Sequence, residues 1–173
     1  NELKALVDLN QSQNYNQFQQ AIFHFQCPHQ NMVYADVAGN IAMWSQGQFE
    51  FQQAEQGRFV EDATTFTIPS QIPVSNNPHE LNPSKHYVMS ANQINTSRDY
   101  AFAYHGIFSE DRAKRLTHLL QQDSLFSLRS MMQMQLDAYW QNAADLLPWL
   151  LSQLPASMTK SQSTALALLK NWD

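Results

Sequence analysis

Apolar residues recur at helical spacing among many glutamines and asparagines in the first part of the chain. Tyr15, Phe18 and Ile22 stand at positions i, i+3 and i+7, which places them on one face of a helix. Asn14 precedes this stripe, and asparagine is favoured at a helix N-cap because its side chain accepts a bond from a free backbone N–H. The pattern predicts two short helices within residues 1–25, the second of them capped by Asn14.

A hairpin is the next element that the pattern predicts. The segment QNMVYADVAGNIAMWSQG holds two apolar runs, residues 32–35 and 41–44, on either side of Gly39 and Asn40. Continuous apolar runs are typical of strands covered on both faces, whereas strands with one wet face alternate. Glycine and asparagine tolerate the positive φ that a tight connection needs. We therefore expect a hairpin over residues 32–45 with both strands buried.

The segment after the hairpin has weaker signals. Residues 55–82 show little periodicity and contain three prolines, which predicts a long loop. The apolar run at residues 86–92 predicts another short strand. From residue 109 onward the apolar spacing is helical, with Ser109 as a suitable N-cap and Pro148 in the first turn of a later helix.

The order of these elements predicts an α+β fold. Helices come first, a few strands follow, and a helical block ends the chain, without the regular alternation of an α/β protein. We expect a helix–hairpin–strand part over residues 1–108 and a helical part over residues 109–173. An uncapped helical pattern at the first residue and a helix close to the last suggest that the chain is an excerpt from a longer protein.

Composition excludes two kinds of partner. The net charge is −5 with only 10 lysines and arginines, and no basic run is present, which argues against binding to nucleic acid. No apolar run approaches the roughly 18 to 20 residues that span a bilayer. A single cysteine, Cys27, excludes an internal disulfide and leaves the compartment open.

Local motifs for a self-contained active site are missing. His24, Cys27 and His29 lie close together, but a structural zinc site needs four ligands in paired spacings. They are better interpreted as a helix-end histidine, a buried thiol and a loop histidine. The SMMQMQL segment has a helical spacing that favours core packing over a binding groove. Four scattered glycines form no phosphate loop, and no serine stands in a nucleophile elbow.

Several segments resemble blocks of one known family, in the same order. The hairpin resembles the YADxxGNI hairpin of the penicillin acylase family of N-terminal-nucleophile hydrolases, and LNPSKHYVMSANQ is similar to its NPxxGYIxxANN segment. NYNQFQQAI, RDYAF, EDRAKRL, MQLDAYWQNAADLLPWL and LLKNWD are similar to further blocks. The resemblance covers nearly the whole chain. It implies an internal piece of the β chain, with part of the family's αββα sandwich and a helical block.

The resemblance also implies a mechanism and a site residue. In this family a serine at the start of the β chain attacks an amide carbonyl, and its own α-amino group is the base. That serine would lie outside this chain, so the chain alone is expected to be inactive. An asparagine of the ANN block donates to the oxyanion, and the matching residue is Asn92. An uncharged amide suits this role because it donates without titrating.

Two further residues match positions with a function in the family. Arg112 matches an arginine near the active site, which would orient Asn92 or the surroundings of the nucleophile. Asp99 matches a ligand of a calcium ion. Calcium needs several oxygen ligands, and the other side-chain ligands would lie outside this chain. We therefore expect calcium in the parent protein and none in this chain.

Departures from the family pattern leave the substrate open. GQFEFQ, at residues 47–52, lacks the proline and arginine of the family's GxxPxR, and His86 replaces a glycine. The substrate class remains a small-molecule amide: a β-lactam side chain, an acyl-homoserine lactone or another amide. The resemblance implies a periplasmic or secreted protein whose partners are the remaining α- and β-chain segments. A homodimer could form through strand edges at residues 32–44 or 86–92. The alternative function is a non-catalytic structural or interaction domain derived from the family.

Overall fold

The computed structural model describes residues 1–52, 59–60, 62–65, 67–102, 106, 108–155 and 157–171. The chain divides into two compact units, Asn1–Phe108 and Ser109–Asp173. In its described residues the first unit contains two α-helices, a short 3₁₀ helix at Val74–Asn76 and an antiparallel sheet, and the described elements of the second unit are α-helices. The predicted α+β class is confirmed.

Two helices open the first unit, as the apolar spacing predicts. Helix α1 spans Glu2–Gln11 and helix α2 spans Tyr15–Ile22. The side chain of Asn14 accepts a hydrogen bond of 3.0 Å from the backbone N–H of Gln17. Asn14 is therefore the N-cap of α2, and that prediction is confirmed.

The sheet consists of strands β1 (Gln30–Ala35), β2 (Ile41–Gln46) and β3 (His79–Leu81) in the order β1-β2-β3. Both pairings are antiparallel. The predicted hairpin is confirmed, and its turn places Gly39 at φ 87°. The predicted strand over residues 86–92 is wrong, because that segment forms turns and extended loop, and the third strand is His79–Leu81 instead.

The two strands of the hairpin differ in burial. Strand β2 is buried from Ala42 to Gln46, whereas exposed and half-buried residues alternate at the end of β1. The prediction that both strands are covered on both faces is therefore wrong for β1. The reason is that only one face of β1 is covered: Met32 and Tyr34 pack against the core, whereas Val33 on the opposite face is exposed.

Helix α2 and the sheet enclose the core of the first unit. Phe18, Ile22 and Trp44 are its buried centre. Trp44 is 1% exposed, and its indole N–H donates a 3.0 Å hydrogen bond to the hydroxyl of Tyr15. Its ring stacks on that of His79, with centroids 3.9 Å apart and planes within 5°. Trp44 thus joins α2 to β2 and β3.

Four helices form the described part of the second unit: α3 (Asp111–Gln121), α4 (Leu128–Gln135), α5 (Gln141–Ser152) and α6 (Lys160–Lys170). Two predictions about their starts are wrong. Helix α3 begins after Glu110 rather than Ser109, and Pro148 lies inside α5 rather than in its first turn. The earlier start of α5 has a physical cause, since the carboxylate of Asp111 accepts a 2.8 Å bond from the backbone N–H of Asn142.

An ion pair connects α3 with the segment before α5. The guanidinium of Arg115 donates from Nε to Oδ1 of Asp137 at 3.1 Å and from Nη2 to Oδ2 at 2.6 Å. The guanidinium also lies over the ring of Tyr139, 4.3 Å from its centroid. This paired geometry raises the pKa of Arg115 and lowers the pKa of Asp137, chiefly through the shared hydrogen bonds.

Large apolar side chains of the second unit are exposed, although their spacing predicts core packing. Among the described residues of this unit, Ala113 alone is buried. The exposed ones include Leu128, Met131, Met132, Leu136, Leu146, Trp149, Leu150, Leu154, Leu168 and Leu169. The stripe predicted for the last helix also includes Trp172, which lies outside the described residues.

Replacement of Trp44 should destabilise the first unit more than any change on the edge strand. We expect Trp44→Ala to lower the free energy of unfolding by about 3 to 5 kcal/mol, because it removes a large buried ring and leaves a cavity. Trp44→Phe should cost less, since part of the ring volume remains. Urea unfolding followed by circular dichroism measures both.

The matched control is Val33→Ala, at an exposed position of β1. It should change the free energy of unfolding by no more than about 0.5 kcal/mol. Equal losses for Trp44→Ala and Val33→Ala would contradict the central place of Trp44 in the core.

Candidate functional site

Asp36, the aspartate of the hairpin motif, stabilises the turn between β1 and β2 through hydrogen bonds. Oδ1 of Asp36 accepts hydrogen bonds from the backbone N–H groups of Ala38 at 3.0 Å and Asn40 at 2.9 Å. Its Oδ2 accepts from the hydroxyl of Tyr34 at 2.8 Å and from Nδ2 of Asn40 at 2.9 Å. One carboxylate therefore closes the whole turn between β1 and β2. These bonds, led by that from the Asn40 side chain, hold the pKa of Asp36 below its usual value.

Asn82, at the start of the LNPSKHYVMSANQ segment, joins that segment to the same hairpin. Its Oδ1 accepts from the backbone N–H of Ile41 at 2.9 Å, and its own backbone N–H donates to the carbonyl of Ile41 at 2.8 Å. Its Nδ2 donates to Oδ1 of Asn40 at 2.9 Å. The hairpin and the LNPSKHYVMSANQ segment are thus joined by hydrogen bonds.

At Gly47, directly after β2, the side chain of another residue occupies the space of a Cβ, so a larger residue here would require that side chain to move. A Cβ at this position would lie 2.8 Å from Cγ of His29, which is too close for any real contact. The imidazole of His29 is held there by a 2.9 Å bond from Nε2–H to the carbonyl of Gln48, and it packs on the ring of Phe49. The carbonyl of Gly47 accepts a 2.8 Å bond from Nδ2 of Asn77.

The face of the sheet opposite the helices is bonded to the loop that follows β3. Oγ–H of Ser45 donates to Oδ1 of Asn31 at 2.8 Å, which joins β2 to β1. Nδ2 of Asn31 donates to Oγ of Ser90 at 2.7 Å. Nδ2 of Asn95 donates to both Oδ1 of Asn31 and Oγ of Ser45, at 3.1 Å each. Residues 90 and 95 of the loop are therefore anchored on the sheet.

The orientation of the amides in this network follows from one backbone group. The N–H of Ala91 can only donate, so the atom of Gln93 that lies 2.7 Å from it is Oε1. Nε2 of Gln93 must then donate to the carbonyl of Met89 at 3.0 Å and to Oδ1 of Asn95 at 2.9 Å. Asn95 in turn presents its Nδ2 to Asn31. The network is consistent from the loop to the sheet.

Asn92, the residue that the resemblance implies as oxyanion donor, lies at the centre of this anchored loop. Its φ is 62°, in the left-handed region, and the residue is exposed. It lines an open cavity of about 200 Å³, together with His29, Gln30, Asn31, Ser45, Phe49, Gln93, Asn95 and Phe108. The arrangement places an uncharged amide residue at the wall of a cavity whose lining combines amides and a hydroxyl with two phenyl rings.

A second open cavity of about 520 Å³ lies in the same unit and shares Gln93 and Asn95 with the first. Met43 of β2, Met89 and Tyr100 contribute apolar surface to it. No local sequence pattern indicates this cavity, because its lining comes from two strands and from loop residues that are distant from them along the chain. Both cavities border the loop that carries Asn92.

His86 explains one of the departures from the family pattern. Its φ is 60°, so the position demands a left-handed backbone, which glycine adopts without cost. Histidine is among the non-glycine residues found there more often than most. The glycine of the NPxxGY pattern is therefore a signal for a turn at this position, and it argues against a strand over residues 86–92.

Arg112 and Asp99 are the other two predicted site residues. Arg112 is exposed in the first turn of α3, in the second unit, whereas Asn92 belongs to the first unit. Because the two residues belong to different units, a role of Arg112 toward Asn92 stays a prediction. Asp99 is exposed, and a hydrogen bond from the side chain of Ser97 lowers its pKa.

A calcium site does not form from the described residues alone. No group of three or more histidine, cysteine, aspartate or glutamate side chains in the described ranges could hold a metal ion. Asp99 would supply a single carboxylate, and Ca²⁺ takes six to eight oxygen ligands. His24, Cys27 and His29 form no such group either, and Cys27 is exposed rather than buried.

Comparison with solved structures identifies the class of fold. The chain matches a thermostable penicillin G acylase from Alcaligenes faecalis with a TM-score of 0.74 and 23% sequence identity, over 99% of this chain and 32% of that chain. This is a match of fold, and it shows a portion of the penicillin acylase architecture. The chain spans about a third of the length of that relative.

The family follows from the sequence as a whole. The family model for penicillin amidase matches residues 1–173. The chain belongs to the penicillin amidase family, whose members are amide hydrolases. No sequence among curated proteins matches significantly. Within the described residues, every helix is too short or too polar to cross a bilayer.

The pKa of Asp36 predicts how the hairpin responds to acid. Because the folded-state pKa lies below the ordinary value near 4, the carboxylate stabilises the fold above about pH 4 and loses this effect as pH falls through the lowered pKa. Asp36→Asn should lower the unfolding temperature at neutral pH, since a carboxamide cannot accept all four bonds. The difference from wild type should shrink on acidification below about pH 4.

Thermal unfolding at a series of pH values between neutral and strongly acidic measures this difference. Asp145→Asn, at an exposed position of α5, is the control, and it should leave the unfolding temperature close to that of wild type throughout. A difference between Asp36→Asn and wild type that stays constant with pH would contradict the prediction.

Proposed function

We propose that the protein hydrolyses an amide bond through an acyl-enzyme on an N-terminal serine supplied from outside this chain, with Asn92 as a donor to the oxyanion. Membership of the penicillin amidase family supports the reaction class. The observation that carries the role of Asn92 is its position on a cavity wall within a loop that is bonded to the central sheet.

The chemistry of the oxyanion favours an amide donor. When the serine oxygen attacks the carbonyl, negative charge develops on the carbonyl oxygen, and a preorganised N–H aimed at that oxygen stabilises the transition state more than the substrate. The Nδ2 group of Asn92 donates without carrying a charge or changing its protonation state. The contribution of Asn92 to catalysis should therefore not change with pH, whereas that of the α-amino group of the serine, which acts as a base, does.

The substrate that fits this proposal is a small-molecule amide. The solved relative is a penicillin G acylase, and an amide of the penicillin kind is one candidate. Acyl-homoserine lactones and other amides are equal candidates, because the residues at positions 47–52 depart from the family pattern. We further propose a periplasmic or secreted location, and a calcium ion in the longer protein to which Asp99 contributes one ligand.

Other segments of the protein are the partners that we propose for the exposed helices. The chain covers only 32% of the solved relative, and α4, α5 and α6 carry exposed leucine, methionine and tryptophan side chains. Burial of such surface is favourable by about 25 cal/mol per Å². We further propose that this chain, when alone, forms a homodimer through the edge of β1. The segment at residues 86–92 forms no strand that could take part.

Removal of the Asn92 amide in the full-length enzyme tests the proposal. Asn92→Ala should lower kcat by about 100- to 1000-fold, because one oxyanion donor is lost, while KM should change little. The measurement is steady-state kinetics on a chromogenic amide, after release of the N-terminal serine by processing has been verified. Asn16→Ala, an exposed asparagine of α2, is the matched control and should behave as wild type.

A wild-type kcat for correctly processed Asn92→Ala would refute the role of Asn92. The absence of any amide hydrolysis by the wild-type full-length protein, across phenylacetyl amides and acyl-homoserine lactones, would instead favour the non-catalytic domain.

Arg112→Lys and Arg115→Lys form a matched pair that separates activity from stability. If Arg112 grips a neighbour of the site through its planar fork, Arg112→Lys should lower kcat about tenfold with little change in unfolding temperature. Arg115→Lys loses one of the two bonds to Asp137 and should lower stability by about 1 kcal/mol without changing kcat. Unchanged kcat in Arg112→Lys would identify it as a surface cation.

A further inference from the structure

The side-chain amide of Gln93 forms hydrogen bonds with residues that precede and follow Asn92 in the chain. Its Oε1 accepts from the N–H of Ala91 at 2.7 Å, and its Nε2 donates to the carbonyl of Met89 at 3.0 Å and to Oδ1 of Asn95 at 2.9 Å. The amide of one side chain thus makes three bonds within a few residues of Asn92. We call these three bonds the Gln93 clamp.

The clamp acts where the backbone needs support. At φ 62°, Asn92 lies in a region that non-glycine residues occupy at a cost, and such a conformation persists only when the surroundings hold it. A change to negative φ would swing the side-chain amide of Asn92 away from its present direction. The bonds to Ala91 and Met89 oppose that change, because they fix the chain immediately before Asn92.

The clamp is also connected to the rigid part of the first unit. Asn95, which accepts from Gln93, donates in turn to Asn31 of β1 and Ser45 of β2, and Ser45 is 2% exposed. A loop residue is thereby tied to the buried central strand. Catalytic groups need to be held within a fraction of an ångström, and sites supported by strands are more precise than sites on free loops.

We propose that Gln93 is a positioning residue that orients the Asn92 amide toward the oxyanion. This proposal rests on the proposed function of Asn92. Gln93 makes its contribution through Asn92 and does not itself contact the reacting atoms. Its loss therefore lowers transition-state stabilisation and leaves substrate binding nearly unchanged.

Gln93→Met in the full-length enzyme tests the clamp, because methionine keeps the length of the side chain and removes all three bonds. We expect kcat to fall by about 10- to 100-fold, as displacement of a catalytic group by about an ångström does, with KM within about twofold of wild type. Gln20→Met, at an exposed position of α2, is the matched control and should leave both constants unchanged.

The decisive measurement is the double variant Asn92→Ala with Gln93→Met. If Gln93 acts through Asn92, Gln93→Met changes kcat by less than about twofold once the Asn92 amide is gone. If it merely stabilises the loop or the active site at large, it costs the same factor in both backgrounds, and the proposal is overturned. Wild-type kcat in Gln93→Met alone overturns it as well.

The outcomes also separate this proposal from the one it rests on. A normal kcat in Asn92→Ala refutes the site itself, whereas a large loss in Asn92→Ala with none in Gln93→Met refutes the clamp alone. If Gln93→Met does not fold, Gln93→Asn replaces it: the amide stays uncharged, but the shorter side chain cannot reach Ala91, Met89 and Asn95 together. It should then lower kcat at least about tenfold in the wild-type background and less than about twofold in Asn92→Ala.

Discussion

The burial of β2 is the constraint on which the rest of the first unit depends. A strand with neighbours on both sides and no wet face needs cover above and below. On one face Trp44 packs with Phe18 and Ile22 of α2, and its ring stacks on the ring of His79. On the other face Ser45 accepts a hydrogen bond from Asn95 of the loop after β3, and Met43 lines a cavity to which residues of that loop also contribute. The helices and the loop are therefore held in place by the same six-residue strand.

The two faces of β2 are covered by different kinds of interaction. Packing against α2 is apolar and tolerates small adjustments, whereas the loop is bonded through hydroxyls and amides with fixed donor and acceptor roles. A partly buried hydrogen-bond network favours one arrangement of its side chains, because another arrangement would leave a donor or an acceptor without a partner. The face bonded to the loop is thus the one on which geometry is most strongly specified, and Asn92 lies in that loop.

Local patterns predict α1, α2 and the hairpin because their apolar spacing and the Asn14 cap act over a few residues. They miss β3, since its three residues pair with β2 only through tertiary contact. The apolar run at residues 86–92 predicts a strand, yet His86 and Asn92 adopt the positive φ of turns. Family resemblance indicates Asn92, but the hydrogen bonds of Gln93 depend on folded geometry and leave no trace in spacing.

The close approach of His29 to Gly47 has a consequence for how related sequences can vary. The two residues are far apart along the chain, yet the imidazole fills the volume that a side chain at position 47 would need. A larger residue at 47 is compatible with this fold only if residue 29 shrinks or turns away. The positions should therefore change together in evolution, and a substitution of Gly47 alone should be rare among homologues that keep a histidine at position 29.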